Sequence, residues 1–237
     1  MMILSLTVCL LFDMLNNNMD IKYLGHSSFR ITCSTASIVT DPFSQKMVGI
    51  KYPKVEADIV TVSHNHEDHN KSELVGGNPL ILDIPGEYEK QNVRITGFDV
   101  YHDEKEGTVR GKNILFKFEM DELSVLHCGD LGHTLTNEMI EEIGEVDILL
   151  IPIGGFFTIG PSEAVMVVRE IEPKIVIPMH YNHSGLNQEE FSHLTSLPEF
   201  VSAMGASDIE PLAKYSVKKS DLELMDGVKL VELVITG

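Results

Sequence analysis

Four apolar runs in this chain stop at a histidine or an aspartate. Residues 59–62 lead to His64, 92–101 to His102, 123–127 to Asp130 and 174–179 to His180. Runs of this length and composition read as buried strands. Strand ends that converge on one sheet edge are how a metal or catalytic site is assembled, and chance would rarely end four strands this way. The chain is therefore constrained to a sheet-based fold with its chemistry along one edge.

The densest stretch is Val62-Ser63-His64-Asn65-His66-Glu67-Asp68-His69-Asn70. Period-two alternation puts His64 and His66 on one side, and Asp68 and His69 follow in a loop leading into a helix-like segment at 70–75. Neutral imidazole and carboxylate suit zinc, with manganese or iron as alternatives. A polar loop that is merely rich in histidine is the competing reading, but His-x-His-x-Asp-His after an apolar strand is a specific signal. Asp130 lies between two glycines in Gly129-Asp130-Leu131-Gly132-His133, a setting suited to close approach by a metal.

Other polar residues at strand ends carry weaker signals. Asp41 is expected to orient a ligand imidazole or brace the histidine loop. His26 reads as a hydrogen-bonded loop histidine, His127 as a packed structural histidine and Cys128 as core. Arg110 reads as solvated surface, with contact to an anionic substrate as the alternative.

The remaining pattern predicts a meander of strands at 21–24, 28–32 and 36–40, further strands at 79–83 and 113–118, a hairpin turn at 120–122 and strands at 215–217 and 228–234. Helices are expected at 137–143, 161–171 and 188–204. Taken alone, the pattern gives an α/β or α+β chain.

The chain has 237 residues, 43% of them hydrophobic, enough for one well-cored domain. Its net charge of −18 argues against nucleic acid as the main partner, because phosphate backbones are bound by clustered lysine and arginine. Three widely spaced cysteines, Cys9, Cys33 and Cys128, fit a reducing cytoplasm. The apolar stretch at 3–12 makes a poor signal peptide and is too short to span a bilayer. Residues 1–18 are read as an extension, with Met19 the expected natural start and 19–237 a single domain. An amphipathic helix or a membrane-surface anchor is the competing reading of the extension. A small-molecule substrate is expected, with no nucleic acid, no stable membrane association and a homo-oligomer as an option.

The histidine motif, with Tyr23-Leu24-Gly25-His26-Ser27-Ser28-Phe29 and Thr40-Asp41-Pro42 before it, resembles the metallo-β-lactamase superfamily of metal-dependent hydrolases. The order of these motifs is similar to the branch that includes ascorbate-6-phosphate lactonase. The resemblance implies a four-layer αβ/βα sandwich of two mixed β-sheets flanked by helices. It also implies two divalent ions, zinc in the first instance. His64, His66 and His102 would hold one, Asp68, His69 and His180 the other, and Asp130 would bridge them. Such a centre activates water against an ester, lactone or phosphoester bond. Asp68 and Asp130 would then serve catalysis directly. His133 reads equally as a proton donor near the site or as a loop hydrogen bond. A superfamily nuclease would need a basic groove or an RNA-binding arm. A redox protein would need electron delivery. Neither feature is visible.

Overall fold

In this computed structural model the described residues are 18–207 and 209–236. The extension expected at 1–18 lies outside them except for Asn18, which immediately precedes the first strand. The strands of the first half are β1 (Met19–Gly25), β2 (Ser28–Thr32), β3 (Ser37–Thr40), β4 (Val55–Glu56), β5 (Ile59–Thr61), β6 (Val75–Gly76) and β7 (Leu80–Leu82). Those of the second are β8 (Gly86–Lys90), β9 (Val93–Tyr101), β10 (Lys112–Met120), β11 (Leu123–His127), β12 (Ile148–Pro152), β13 (Ile175–Met179), β14 (Tyr215–Val217) and β15 (Lys229–Leu230).

They form two mixed sheets built on one plan. The first runs β14-β1-β2-β3-β5-β7 and the second β15-β13-β12-β11-β10-β9-β8. In each, consecutive antiparallel strands give way to parallel ones, at β3–β5 in the first and β11–β12 in the second. A two-stranded ribbon, β4–β6, stands apart.

Alternation along the strands decides what each face covers. Ile21, Tyr23, Phe29, Ile31, Ile38 and Ile59 of the first sheet share one core with Ile95, Phe116, Phe118 and Val125 of the second. Each such side chain removed from water contributes about 1.5–3 kcal/mol, so this shared core is the main source of stability. The opposite face of the first sheet carries Leu24, Val39 and Val60, packed with Val75, Tyr52 and Val55.

The described helices are α1 (Gln45–Val48), α2 (Asn137–Ile143), α3 (Pro161–Ile171), α4 (Gln188–Phe191), α5 (Leu197–Ala203) and α6 (Lys219–Glu223). In α3, Pro161 occupies the first turn, where its missing N–H costs nothing, and Ala164, Val165, Val168 and Ile171 form the buried stripe. That helix packs on α5 and β12.

Three expectations need correction. The segment 188–204 is not one helix but α4 and α5. Ser196 and Glu199 form a capping box, and Pro198 sits in the first turn of α5, where it starts a helix rather than continuing one. The segment 70–75 contains only a 3₁₀ turn, Ser72–Leu74, before β6. The strand β8 was not expected, because a sheet-edge strand reading Gly-Glu-Tyr-Glu-Lys lacks an apolar face. The turn at 120–122 is a hairpin as expected, with Asp121 and Glu122 both at positive φ.

Candidate metal centre

The seven expected donors gather at one edge of the two sheets. The loop after β5 carries His64, His66, Asp68 and His69. His102 directly follows β9, Asp130 follows β11 and His180 directly follows β13. The 62–70 stretch is a series of bends and turns, so loop folding brings His64 and His66 together rather than strand alternation.

Donor atoms fall into overlapping groups in which all lie within 4.8 Å of one another: His64, His66 and His102; His64, His69 and Asp130; and His26, Asp68, His69 and His180. Asp130 is central. Its Oδ2 is 3.3 Å from Nε2 of both His69 and His180, 3.4 Å from that of His102 and 3.9 Å from that of His64. All these residues are buried except His66, which is exposed.

The local supports are specific. Asp41, fully buried, accepts from the Ser63 backbone N–H at 2.8 Å, the Ser63 hydroxyl at 2.6 Å and His69 Nδ1 at 2.9 Å. With its proton given to Asp41, the Ser63 hydroxyl accepts from His64 Nδ1 at 3.0 Å. One carboxylate thus fixes the tautomers of two imidazoles and turns both Nε2 atoms toward the centre. Asp41 meets its expected role.

On the other sheet, Asn113 accepts from the Asp130 N–H at 2.9 Å and donates to the Cys128 carbonyl at 2.9 Å. A Cβ at Gly129, φ +50°, would strike Asn113 and Ser63. One at Gly132 would strike the His102 backbone. The glycines flanking Asp130 therefore permit the approach of loops that the site requires. His26, Asp41 and His180 have φ of 56°, 37° and 51°, left-handed conformations that non-glycine residues adopt at a cost of about 1–3 kcal/mol and that cluster at functional sites.

These donors fit a cationic group. Nε2 of His64, His69 and His180 and Oδ1 of Asp130 are buried without a hydrogen-bond partner, an arrangement that burial of polar atoms otherwise penalises. Burial, and next the neighbouring His69, holds His64 well below the ordinary imidazole range, and burial does the same to a lesser degree for His102. Burial opposes a charge on His69 too, but Asp130 and Asp68 outweigh it and raise that imidazole well above its usual range. Burial likewise opposes ionisation of Asp130, and His180 and His69 overcome it, keeping the carboxylate ionised.

Two expectations change here. His133 is not brought to the cluster. Its Nε2 accepts from the Tyr101 N–H at 3.2 Å and its Nδ1 donates to the Thr134 carbonyl at 2.7 Å, the loop hydrogen bonding that was the other reading of this residue. Arg110 is not simple solvated surface. It is half-buried and lines the cleft over the cluster with Met47, Asp68, His102, Phe157 and Phe191.

His26 goes the other way. Its Nε2 is 3.1 Å from Asp68 Oδ2, and its ring centroid is 4.1 Å from that of His180. Burial and the neighbouring His180 lower its pKa to about 4. It is the hydrogen-bonded loop histidine expected, and its partner Asp68 places it in one of the groups that could hold an ion. His127 donates to the Ser27 carbonyl at 2.8 Å, and Cys128 is fully buried.

Comparisons with known proteins show the family. A model of the beta-lactamase superfamily domain matches residues 20–180. A UPF0173 metal-dependent hydrolase of Thermococcus onnurineus is 31% identical over 189 residues, covering 68% of this chain and 84% of that protein. One of Methanopyrus kandleri is 32% identical over 193 residues, covering 69% and 84%. The crystal structure of a candidate Zn-dependent hydrolase of the metallo-β-lactamase superfamily from Thermotoga maritima superposes with a TM-score of 0.74 at 36% identity, covering 91% of this chain and 98% of that one. The chain therefore belongs to the metallo-β-lactamase superfamily, and within it to the metal-dependent hydrolases. Among the described residues no helix is long and apolar enough to cross a membrane.

Proposed function

We propose that the centre is dinuclear and hydrolyses an ester, lactone or phosphoester bond in a small anionic molecule. The observation that carries this reading is the position of Asp130. Its Oδ2 lies 3.4–3.9 Å from Nε2 of His102 and His64 on one side and 3.3 Å from Nε2 of His69 and His180 on the other. We assign His64, His66 and His102 to one ion, Asp68, His69 and His180 to the second, and Asp130 to both. Seven donors exceed what one tetrahedral zinc uses.

Divalent metal bound there, zinc by the donor set with manganese or iron as alternatives, supplies a Lewis acid and brings the pKa of water towards neutrality. The chain's own contribution is orientation. Asp41 sets the His64 and His69 rings, His26 holds the Asp68 carboxylate, and Asn113 holds the Asp130 backbone. Asp68 and Asp130 stay ionised beside these imidazoles, the state in which a carboxylate donates to a cation.

The cleft above the centre has a volume of about 420 Å³, within the usual range for small-molecule sites. The chain's net charge of −18 repels polyanions at long range. We take residues 19–237 as the catalytic domain, acting in the cytoplasm.

Protein purified without chelator should saturate at two metals per chain. It should hydrolyse at least one anionic substrate in a panel of lactones, carboxylic esters, thioesters and phosphodiesters. Saturation at one metal removes the dinuclear assignment. Efficient cleavage of structured RNA at physiological salt removes the small-molecule one.

A further inference from the structure

The polar loop between β9 and β10 has an internal frame. Asp103 accepts from the backbone N–H groups of Lys105, Gly107, Val109 and Arg110 at 2.8, 3.2, 3.1 and 2.7 Å. Four backbone hydrogen bonds to one carboxylate fix the loop from 103 to 110 and therefore the point from which the Arg110 side chain leaves it. The guanidinium lies over two aromatic faces, 5.3 Å from the Phe157 ring centroid and 5.9 Å from that of Phe156. Phe157 in turn stands edge-on to His180, with ring centroids 6.4 Å apart. Arg110 is thus one aromatic ring away from the metal centre.

Carboxylates line the cavities around this cation, Glu67 and Asp68 on one side and Glu104 and Glu163 on the other, but none pairs with it. Among the described residues, lysine and arginine ion pairs are Lys71–Glu67, Arg94–Glu119, Lys112–Asp99, Lys214–Asp20 and Lys219–Asp147, and Arg110 is in none of them. Arg110 is also the one lysine or arginine lining the cleft over the donors. It borders a second cavity of about 430 Å³, which shares His102, Arg110 and Phe157 with the cleft. An arginine held at cation–π distance over aromatic rings keeps its N–H donors free, and its planar fork matches a carboxylate or a phosphate.

We infer that Arg110, held over the Phe156 and Phe157 rings, is the specificity residue of this centre and binds a second oxyanion on the substrate, away from the bond that is cleaved. The substrate class is then a hydrolysable ester, thioester or lactone bearing a remote carboxylate or phosphate. This rests on the hydrolase reading for the word substrate, but the anion site stands on the geometry of Arg110 alone. The site orients and binds, and its effect falls on KM and kcat/KM more than on metal content.

Calorimetric titration of the metal-loaded protein with acetate, with dicarboxylates from malonate to adipate and with 3-phosphonopropionate tests it. At least one of the two-headed anions should bind wild type roughly 10- to 100-fold tighter than acetate, the effect of one charge-assisted pair. Arg110→Met should remove that advantage and leave acetate binding, metal content and melting temperature unchanged. Arg110→Lys should restore only part of it. Preference for the phosphonate over the dicarboxylates would assign the remote group as a phosphate, and the reverse as a carboxylate. An R110M variant that keeps the advantage, or a wild type that shows none along the series, overturns the inference. A protein that shows the Arg110-dependent advantage but cleaves no member of the substrate panel overturns the proposed ester, lactone or phosphoester activity instead and leaves the anion site standing.

Discussion

The two sheets supply the centre in different ways. The first gives four donors from one loop, His64, His66, Asp68 and His69, and holds that loop through a single buried carboxylate, Asp41. The second gives His102, Asp130 and His180 from the ends of three strands far apart in sequence. In the first half geometry is set by short-range hydrogen bonds. In the second it is set by strand register, and so by the packed core between β9 and β13. Asp130 is where the two systems meet, since its carboxylate approaches imidazoles from both.

The largest effect should therefore come from Asp130→Ala. It removes the shared donor, so metal occupancy should fall and kcat/KM should drop well beyond the roughly 10- to 100-fold that loss of an orienting partner costs. The apolar core does not include this residue, and the fold should persist by circular dichroism. A variant with two metals and near-normal turnover would break the idea that the halves meet at Asp130.

Asp41→Asn and Asn113→Ala compare the two supports directly. Asp41→Asn weakens the acceptor for the Ser63 N–H, the Ser63 hydroxyl and His69 at once, and metal affinity should fall roughly 10- to 100-fold. Asn113→Ala removes one hydrogen bond to the Asp130 backbone while the register of β10 and β11 still holds that strand end. Its effect on metal affinity should be several-fold smaller. Equal effects from chelator-competition titrations would mean that the second sheet depends on local braces as much as the first.

The centre should also show in the pH dependence of the metal-free protein. Buried His26 has its pKa lowered to about 4, and burial lowers His64, His102 and His127 as well. Between about pH 6.5 and 4 the unfolded chain takes up protons that these folded imidazoles refuse, so stability falls as pH falls. His69, raised by Asp130 and Asp68, acts in the opposite sense but is a single group. The urea midpoint of the metal-free protein should drop between pH 7 and pH 5. Metal affinity should fall over the same range, because the His69 proton must leave when a cation binds. A midpoint that rises on acidification would contradict this sign.

The same contrast explains what could be read from the sequence. The loop half was legible because its donors are contiguous and follow an apolar run. The strand-end half was legible only because β9, β11 and β13 are apolar enough to announce where they stop. His26 carried no spacing signal. It reaches Asp68 because the β1–β2 turn lies at the same sheet edge, a fact of topology rather than pattern. Arg110 was hidden for a similar reason, since its partners Phe156 and Phe157 come from the loop after β12. The fold followed the same rule. The helix α3 and strands β2 and β11 carry their own start and stop signals, whereas β8 carries none and is placed by pairing with β9 and the packing of Tyr88.

The smallest effect should come from His133→Ala, although His133 stands three residues from Asp130. Its ring joins the Tyr101 N–H to the Thr134 carbonyl, so its removal leaves two backbone groups near the surface to find water, at about 0.5–1.5 kcal/mol for each lost hydrogen bond. The neighbouring donor His102 keeps its own support, because its N–H donates to the Gly111 carbonyl at 3.0 Å and the Gly132 N–H still donates to the Tyr101 carbonyl at 3.1 Å. Metal content should be unchanged and kcat/KM should stay within about threefold of wild type, since no transition-state contact is lost. If the variant instead lost a limb of its pH–rate profile with both metals bound, His133 would be a proton donor after all, and the second sheet would contribute a catalytic group from outside its strand ends.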